Sequence, residues 1–121
     1  MFPYFFLLQV LVQQKNFTEC MHSLIHIDTV NRNDTAIQMA RCSFDIHVQE
    51  IFGILSHGAT LIMLHPRGTM DLDYLANILY EKQISYMHAV PTLLHTLFHF
   101  LSQNNNLNRT QSLRSLCSIG K

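Results

Sequence analysis

The sequence predicts an α/β fold: a parallel sheet whose strands alternate with helices. Four short apolar runs are bounded by turn residues, and between them apolar residues recur at helical spacing. Strands that alternate with helices in this way form parallel sheets with right-handed crossovers. Of the 121 residues, 48% are hydrophobic and 13% are charged. Because disordered chains show the opposite balance, this composition predicts one folded domain with a buried core.

The amino-terminal stretch is apolar, and the sequence leaves its relation to the domain open. Residues 1–12 read MFPYFFLLQVLV, which is too short to cross a bilayer because a spanning helix needs about 20 residues. Lys15 follows the apolar run and no small-residue cleavage site comes after it, so we expect no secretory signal. Residues 1–17 are therefore a separate segment, either a buried strand or helix or a start foreign to the domain. The domain itself is predicted to span residues 18–121.

The sequence of the first half of the domain predicts the order helix, strand, helix, strand. Thr18 is a candidate cap for the first helix, and residues 36–40 (AIQMA) predict a short buried strand. Asp45 stands where the second helix begins, and Gly58 follows as its stop. Residues 60–64 (TLIML) form a continuous apolar run, typical of a strand covered on both faces. The predicted apolar face of the first helix consists of Met21, Leu24 and Ile25. That of the second helix consists of Val48, Ile51, Phe52 and Leu55.

The second half repeats the alternation of helix and strand. Asp71 or Thr69 is expected to cap a helix, and Pro91 is expected to start another, since a missing N–H costs little at that position. The predicted elements are a helix over 71–83, a strand over 84–90 (ISYMHAV), a helix from 91, a polar loop over 103–111 and a strand over 113–119 (LRSLCSI). In open parallel sheets, ligands bind outside the carboxyl ends of the strands. We therefore expect the functional site at that edge.

Charge and cysteine content exclude several classes of function. Eight Lys and Arg residues balance eight Asp and Glu residues, so the chain lacks the basic surface of a nucleic-acid-binding or membrane-binding protein. The three cysteines Cys20, Cys42 and Cys117 are far apart and form no CxxC pair. This pattern predicts a reducing compartment, and we expect a cytoplasmic protein without disulfides.

Two histidine pairs suggest a metal site, but their surroundings argue against one. His22 and His26 are four residues apart on a predicted helix, and so are His95 and His99. Such spacing places two ligands on one face, yet neither pair has the glutamate of H-E-x-x-H or a nearby carboxylate as third ligand. We expect exposed helix histidines and no metal. The sequence also lacks the G-x-S-x-G motif of a nucleophilic hydrolase.

One stretch resembles a core motif of the amino-acid adenylation domains of nonribosomal peptide synthetases, which are AMP-forming ligases. The family pattern is F-D-x-S-x-x-E-I/M-F/W, followed by L-x-x-G-A-x-L. Here residues 44–52 read FDIHVQEIF, and residues 55–61 read LSHGATL, in matching register. Later segments, 84–92 and 113–120, look like the family's strand before P-S/T and its strand before a Gly-Gly-Glu turn. The resemblance covers residues 20–121, with His47 in place of the family's serine.

The resemblance implies a fragment of the large amino-terminal domain of an adenylate-forming enzyme. In such an enzyme, ATP and Mg²⁺ activate an amino acid as an aminoacyl-adenylate, and the acyl group then passes to a carrier-protein thiol. Carried over by position, Asp45 receives the substrate α-ammonium at the rim of an open cleft. The implied side-chain pocket consists of Ile46, Gln49, His88, Cys117 and Ile119. From the residues alone, Asp45 is first of all a helix cap, and the two roles conflict only in part.

Several family motifs are absent from these 121 residues. There is no T-S-G-T-T-G-x-P-K-G phosphate loop and no Y-G-P-T-E segment. The sequence therefore leaves open whether the chain is an enzyme by itself. We expect it to be inactive in isolation and to bind neither ATP nor Mg²⁺ alone. The alternative is a non-catalytic remnant or a protein-interaction module derived from such a domain.

Overall fold

The computed structural model describes residues 11–118 and contains a four-stranded sheet with helices on both faces. The strands are β1 (Thr35–Ile37), β2 (Thr60–Ile62), β3 (Tyr86–Ala89) and β4 (Ser115–Ser118). The α-helices are α1 (Gln14–His26), α2 (Ile46–Val48), α3 (Ile54–Ser56), α4 (Leu72–Glu81) and α5 (Pro91–Gln103). A π turn (Gln49–Gly53) joins α2 to α3, and short 3-10 turns occupy Gly68–Met70 and Leu107–Thr110.

All the strand pairs are parallel, which confirms the predicted fold class. The strand order is β2-β1-β3-β4. Ala36 of β1 lies between Leu61 of β2 and Tyr86 of β3, and His88 of β3 lies beside Cys117 of β4. The carboxyl ends of the strands consequently share one edge of the sheet, where the sequence predicted the site.

Each face of the sheet is covered by a different set of helices. On one face, Ile37 and Met87 pack against buried residues of α4 and α5, including Leu75, Leu79 and Leu97. On the other face, a smaller cluster joins the sheet to α3; its members are Val30, Ala36, Ile54, Ala59 and Tyr86. In residues 11–118 no helix combines the length and the apolar character that crossing a bilayer requires.

The first helix begins earlier than predicted and runs across the predicted boundary between residues 17 and 18. Helix α1 starts at Gln14, and Thr18 lies inside it, with its hydroxyl bonded to the Gln14 carbonyl at 3.0 Å. Thr18 is therefore not a cap, because inside a helix its hydroxyl bonds back to the preceding turn. By contrast, Asp71 caps α4 as predicted and accepts the Tyr74 N–H at 3.0 Å. Pro91 is the first residue of α5, also as predicted.

Strand β1 ends three residues before the predicted end, because a carboxylate replaces the neighbouring strand as hydrogen-bond partner. The buried Glu50 accepts the N–H of Ala40 at 2.8 Å and that of Met39 at 3.1 Å. Burial raises the pKa of Glu50, and the hydrogen bonds from the N–H groups of Ala40 and Met39 offset part of that rise. Glu50 thus fastens the π turn to the end of β1.

The helical segment 46–56 buries a different face from the predicted one. Val48, Phe52 and Leu55 are exposed, whereas Glu50 and Ile54 are buried. Because the π turn inserts an extra residue per turn, apolar spacing at 3.6 residues no longer identifies the inner face. The exposed side chains of Val48 and Phe52 instead border a groove of 510 Å³ against α1.

An ion pair with a buried carboxylate closes the opposite, amino-terminal edge of the sheet. The Asp34 carboxylate is 3% exposed and accepts hydrogen bonds from the Arg114 guanidinium, the Ser85 hydroxyl at 2.7 Å and the Asn31 N–H at 2.8 Å. Burial raises the pKa of Asp34, but the hydrogen bonds from Arg114, Ser85 and Asn31 outweigh it, so the pKa lies below its ordinary value. This pair ties the starts of β1, β3 and β4 together.

The Glu50 tether gives the first prediction. Glu50→Ala leaves two N–H groups without their acceptor, and we expect a loss of about 2–3 kcal/mol in the free energy of unfolding. Urea denaturation measures this loss. The control is Glu81→Ala, an exposed glutamate whose substitution should lower the free energy of unfolding by about 0.5 kcal/mol or less. Because the pKa of Glu50 is raised in the folded state, its contribution to stability decreases as the pH rises above 4.5. Equal losses for both variants contradict the tether.

The Asp34 pair gives the second prediction. Its lowered pKa means that Asp34 stabilises the folded chain above the ordinary value of 3.8 and loses this effect as the pH falls below it. We expect Asp34→Asn to be less stable by about 2 kcal/mol at pH 7, a figure reduced because Arg114 is partly exposed. Thermal melts between pH 7 and pH 3 test this. An Asp34→Asn chain whose melting temperature falls as steeply with acid as the parent's contradicts it.

Candidate functional site at the carboxyl edge of the sheet

The candidate site begins with Asp45 at the start of the 46–56 helical segment. Asp45 caps α2 as predicted, and its Oδ1 accepts the Ile46 N–H at 2.9 Å. Its side chain is exposed. Residues 11–118 do not bury its carboxylate, and a place for Asp45 at the rim of a cleft stays a prediction. One carboxylate oxygen remains available to a cation.

Ile46 and Gln49 follow on the same segment, and both are half-buried. Gln49 is the first residue of the π turn. Such turns are rare and occur frequently at functional sites, since they change the direction of side chains within a helix. The Glu50 tether holds this turn against the end of β1. The structure thus brings Asp45, Ile46 and Gln49 together at the carboxyl edge of the sheet.

His88 and Cys117 are the next predicted residues, and they are register neighbours on β3 and β4. His88 is 5% exposed, and burial lowers its pKa, so the neutral ring is favoured. Its Nδ1 is buried and has no hydrogen-bond partner among residues 11–118. Buried polar atoms without a partner are uncommon and call for an explanation. Ile119, the last predicted pocket residue, lies outside the described residues.

The surroundings of Cys117 are those of a packing residue. Cys117 is half-buried and packs against the cluster that contains Tyr86. Burial raises the pKa of Tyr86, and a hydrogen bond with the Cys117 side chain raises it further. The Tyr86 hydroxyl therefore stays neutral beside Cys117.

A side-chain bridge that sequence reasoning missed links β1 to the same helical segment. The Gln38 amide nitrogen lies 3.0 Å from Nδ1 of His47 and 3.4 Å from the Ala40 carbonyl oxygen. Because an amide nitrogen only donates, Nδ1 of His47 accepts here. His47 replaces the serine of the family pattern, and this departure was the available signal. Glu50 was also visible in that pattern, but only its burial identifies it as a tether.

A groove of 320 Å³ opens at the carboxyl ends of β1 and β2, to one side of these residues. It lies between the stretch 38–41 and the loop 64–70. None of the five predicted site residues that the structure describes borders it. Among residues 11–118, no three His, Cys, Asp or Glu side chains are grouped to hold a metal ion. His22, His26, His95 and His99 are all exposed on α1 and α5.

Known proteins with similar sequences are nonribosomal peptide synthetases. Tyrocidine synthase 3 of Brevibacillus parabrevis is 33% identical over 112 residues, which are 93% of this chain and 2% of that protein. Vanchrobactin synthetase VabF of Vibrio anguillarum is 32% identical over 85 residues, 70% of this chain and 3% of that protein. The chain thus spans only a small part of either relative.

Solved structures show the same fold. The nonribosomal peptide synthetase FmoA3, in an AMPPNP-bound form, superposes with a TM-score of 0.73 at 22% identity, over 84% of this chain and 11% of that chain. CmiS6 superposes with a TM-score of 0.71 at 23% identity, over 84% of this chain and 24% of that chain. The profile of the family described as "AMP-binding enzyme" matches residues 9–121. The chain therefore belongs to the AMP-binding enzyme family and contains a short part of its α/β fold.

Proposed function

We propose that this chain is the acyl-pocket part of an enzyme that activates an amino acid with ATP, as an aminoacyl-adenylate, for transfer to a carrier-protein thiol. The observation that supports this most directly is the arrangement at the carboxyl edge. A carboxylate at position 45 and an unpaired buried imidazole at position 88 lie at the same edge of a parallel sheet. The match to synthetases over most of the chain supports the same reaction class.

In this proposal, Asp45 binds the substrate ammonium and the residues behind it select the substrate side chain. The free oxygen of the Asp45 carboxylate accepts from the ammonium while the other oxygen keeps α2 capped. Ile46, Gln49, His88, Cys117 and Ile119 line the side-chain pocket. Since Gln49 and His88 are polar, the pocket is suited to an amino acid whose side chain forms hydrogen bonds.

The described residues do not fit a nucleotide or Mg²⁺ site. They contain no grouping of three carboxylates, histidines or cysteines for a metal, and the chain has no phosphate-loop motif. We therefore assign no phosphoryl-transfer step to them. ATP and Mg²⁺ belong, in this proposal, to the complete enzyme, which also contacts the carrier protein. The comparisons give no support to the alternative of a non-catalytic remnant.

The third prediction tests the reaction class. We expect no ATP–pyrophosphate exchange from the isolated chain, because it lacks the phosphate-binding motifs. We expect amino-acid-dependent exchange when residues 20–118 replace the stretch of tyrocidine synthase 3 that they match. Asp45→Asn keeps an oxygen for the cap and removes the charge, so the KM for the amino acid should rise by about 30-fold or more.

The control for this experiment is Asp73→Ala, an exposed carboxylate in the first turn of α4. It should leave the KM of the chimera unchanged. An Asp45→Asn chimera with a normal KM shows that Asp45 is only a cap and contradicts its proposed role. Exchange by the isolated chain contradicts the proposal that it is only part of the enzyme.

The fourth prediction concerns the substrate side chain. In the same chimera, tested against the twenty standard amino acids, we expect a polar amino acid to give the highest kcat/KM. His88→Leu removes the unpaired Nδ1, so the preference for that substrate over leucine should fall by about tenfold or more. His95→Leu, an exposed histidine of α5, is the control. An unchanged preference in His88→Leu contradicts the assignment of His88 to the pocket.

A further inference from the structure

We propose that the groove between β1 and β2 binds a phosphate group, through Arg41 and Arg67. The inference is independent of the proposed function, because none of the pocket residues described by the structure borders this groove. Its 320 Å³ lie outside the carboxyl ends of two parallel strands, the place where ligands bind in open α/β sheets.

The lining of the groove is positively charged. Arg41 comes from the loop after β1, and Arg67 comes from the loop after β2. Both arginines are exposed, and neither forms an ion pair with any residue in the range 11–118. The lining includes no aspartate or glutamate; its other members are Gln38, Met39, Ala40, Leu64, His65, Pro66, Gly68, Thr69 and Met70. Two arginines from separate loops therefore border one opening without a carboxylate.

Nearby carboxylates are already engaged. Glu50 lies behind the groove with its oxygens bonded to the N–H groups of Met39 and Ala40. Asp71 follows the loop and accepts the N–H of Tyr74. Neither carboxylate pairs with an arginine of the groove, so the guanidinium donors are available to a ligand.

The loop that presents Arg67 is held in one conformation. Tyr74 packs on it, with its ring centroid 3.9 Å from that of His65, and a side chain at Gly68 would meet the Tyr74 ring at 2.7 Å. Arg67 itself has φ 67°, in the left-handed region that costs a side-chain residue free energy. Strained residues of this kind persist where the surrounding structure fixes them, and they cluster at ligand sites.

A phosphate group fits this arrangement better than other anions. The guanidinium fork matches phosphate oxygens in pairs, and phosphate offers at least three acceptor oxygens to donors that approach from two sides. A single carboxylate has two oxygens in one plane and cannot accept paired hydrogen bonds from both guanidinium groups. The ligand is therefore either free inorganic phosphate or the phosphate of an ester.

The test is an NMR titration of the full chain, labelled with ¹⁵N, with inorganic phosphate, glycerol 3-phosphate and acetate. We expect saturable shifts of the Arg41 and Arg67 signals with inorganic phosphate, with glycerol 3-phosphate or with both, and none with acetate. Saturation by inorganic phosphate identifies free phosphate as a ligand, and saturation by glycerol 3-phosphate alone identifies an ester. Added salt should weaken the binding of either phosphate compound.

Three variants make the test specific. Arg41→Gln and Arg67→Gly should each weaken binding by about tenfold. Arg67→Gly also relieves the left-handed strain, so its melting temperature should be equal to or above that of the parent, and lost binding then does not reflect lost folding. Arg32→Gln, an exposed arginine outside the groove, should bind as the parent does. Absence of saturation, equal binding of acetate, or equal weakening by Arg32→Gln overturns the proposal.

Discussion

The position of the 46–56 helical segment depends on one buried carboxylate. Glu50 holds the N–H groups of Met39 and Ala40, which no neighbouring strand reaches. Backbone N–H groups buried without a partner are costly, so this bond both ends β1 and fixes the helical segment over the sheet. Asp45 and Gln49 lie on that segment, and their place at the carboxyl edge follows from the tether.

The two edges of the sheet are stabilised by different means. At the amino edge, Asp34 and Arg114 form an ion pair supported by hydrogen bonds from neighbouring strands. At the carboxyl edge, Glu50 is bonded to backbone, whereas Nδ1 of His88 lacks a partner among residues 11–118. Satisfied polar networks stabilise a fold, whereas a buried polar group without a partner is uncommon and calls for an explanation. The physical contrast agrees with a structural amino edge and a functional carboxyl edge.

Relatives that match this chain are much longer, and the family assignment rests on sequence. The superposed structures share 22–23% identity with it, so they support the fold alone. The family model, which matches residues 9–121, establishes the family. The sequence relatives, at 32–33% identity, agree with it. What the chain contributes to a reaction is therefore argued from its own residues, chiefly Asp45 and His88.

The sequence by itself determined the alternation of strands and helices, the parallel sheet, and local signals such as the Asp71 cap and Pro91 at the start of α5. These features depend on residues within a few positions of one another, which apolar spacing and capping preferences report directly. Only the tertiary structure decided that Glu50 faces inward while Val48 and Phe52 face outward. The reason is that the partners of Glu50 lie ten and eleven residues away in a bent loop, and helical periodicity contains no information about them.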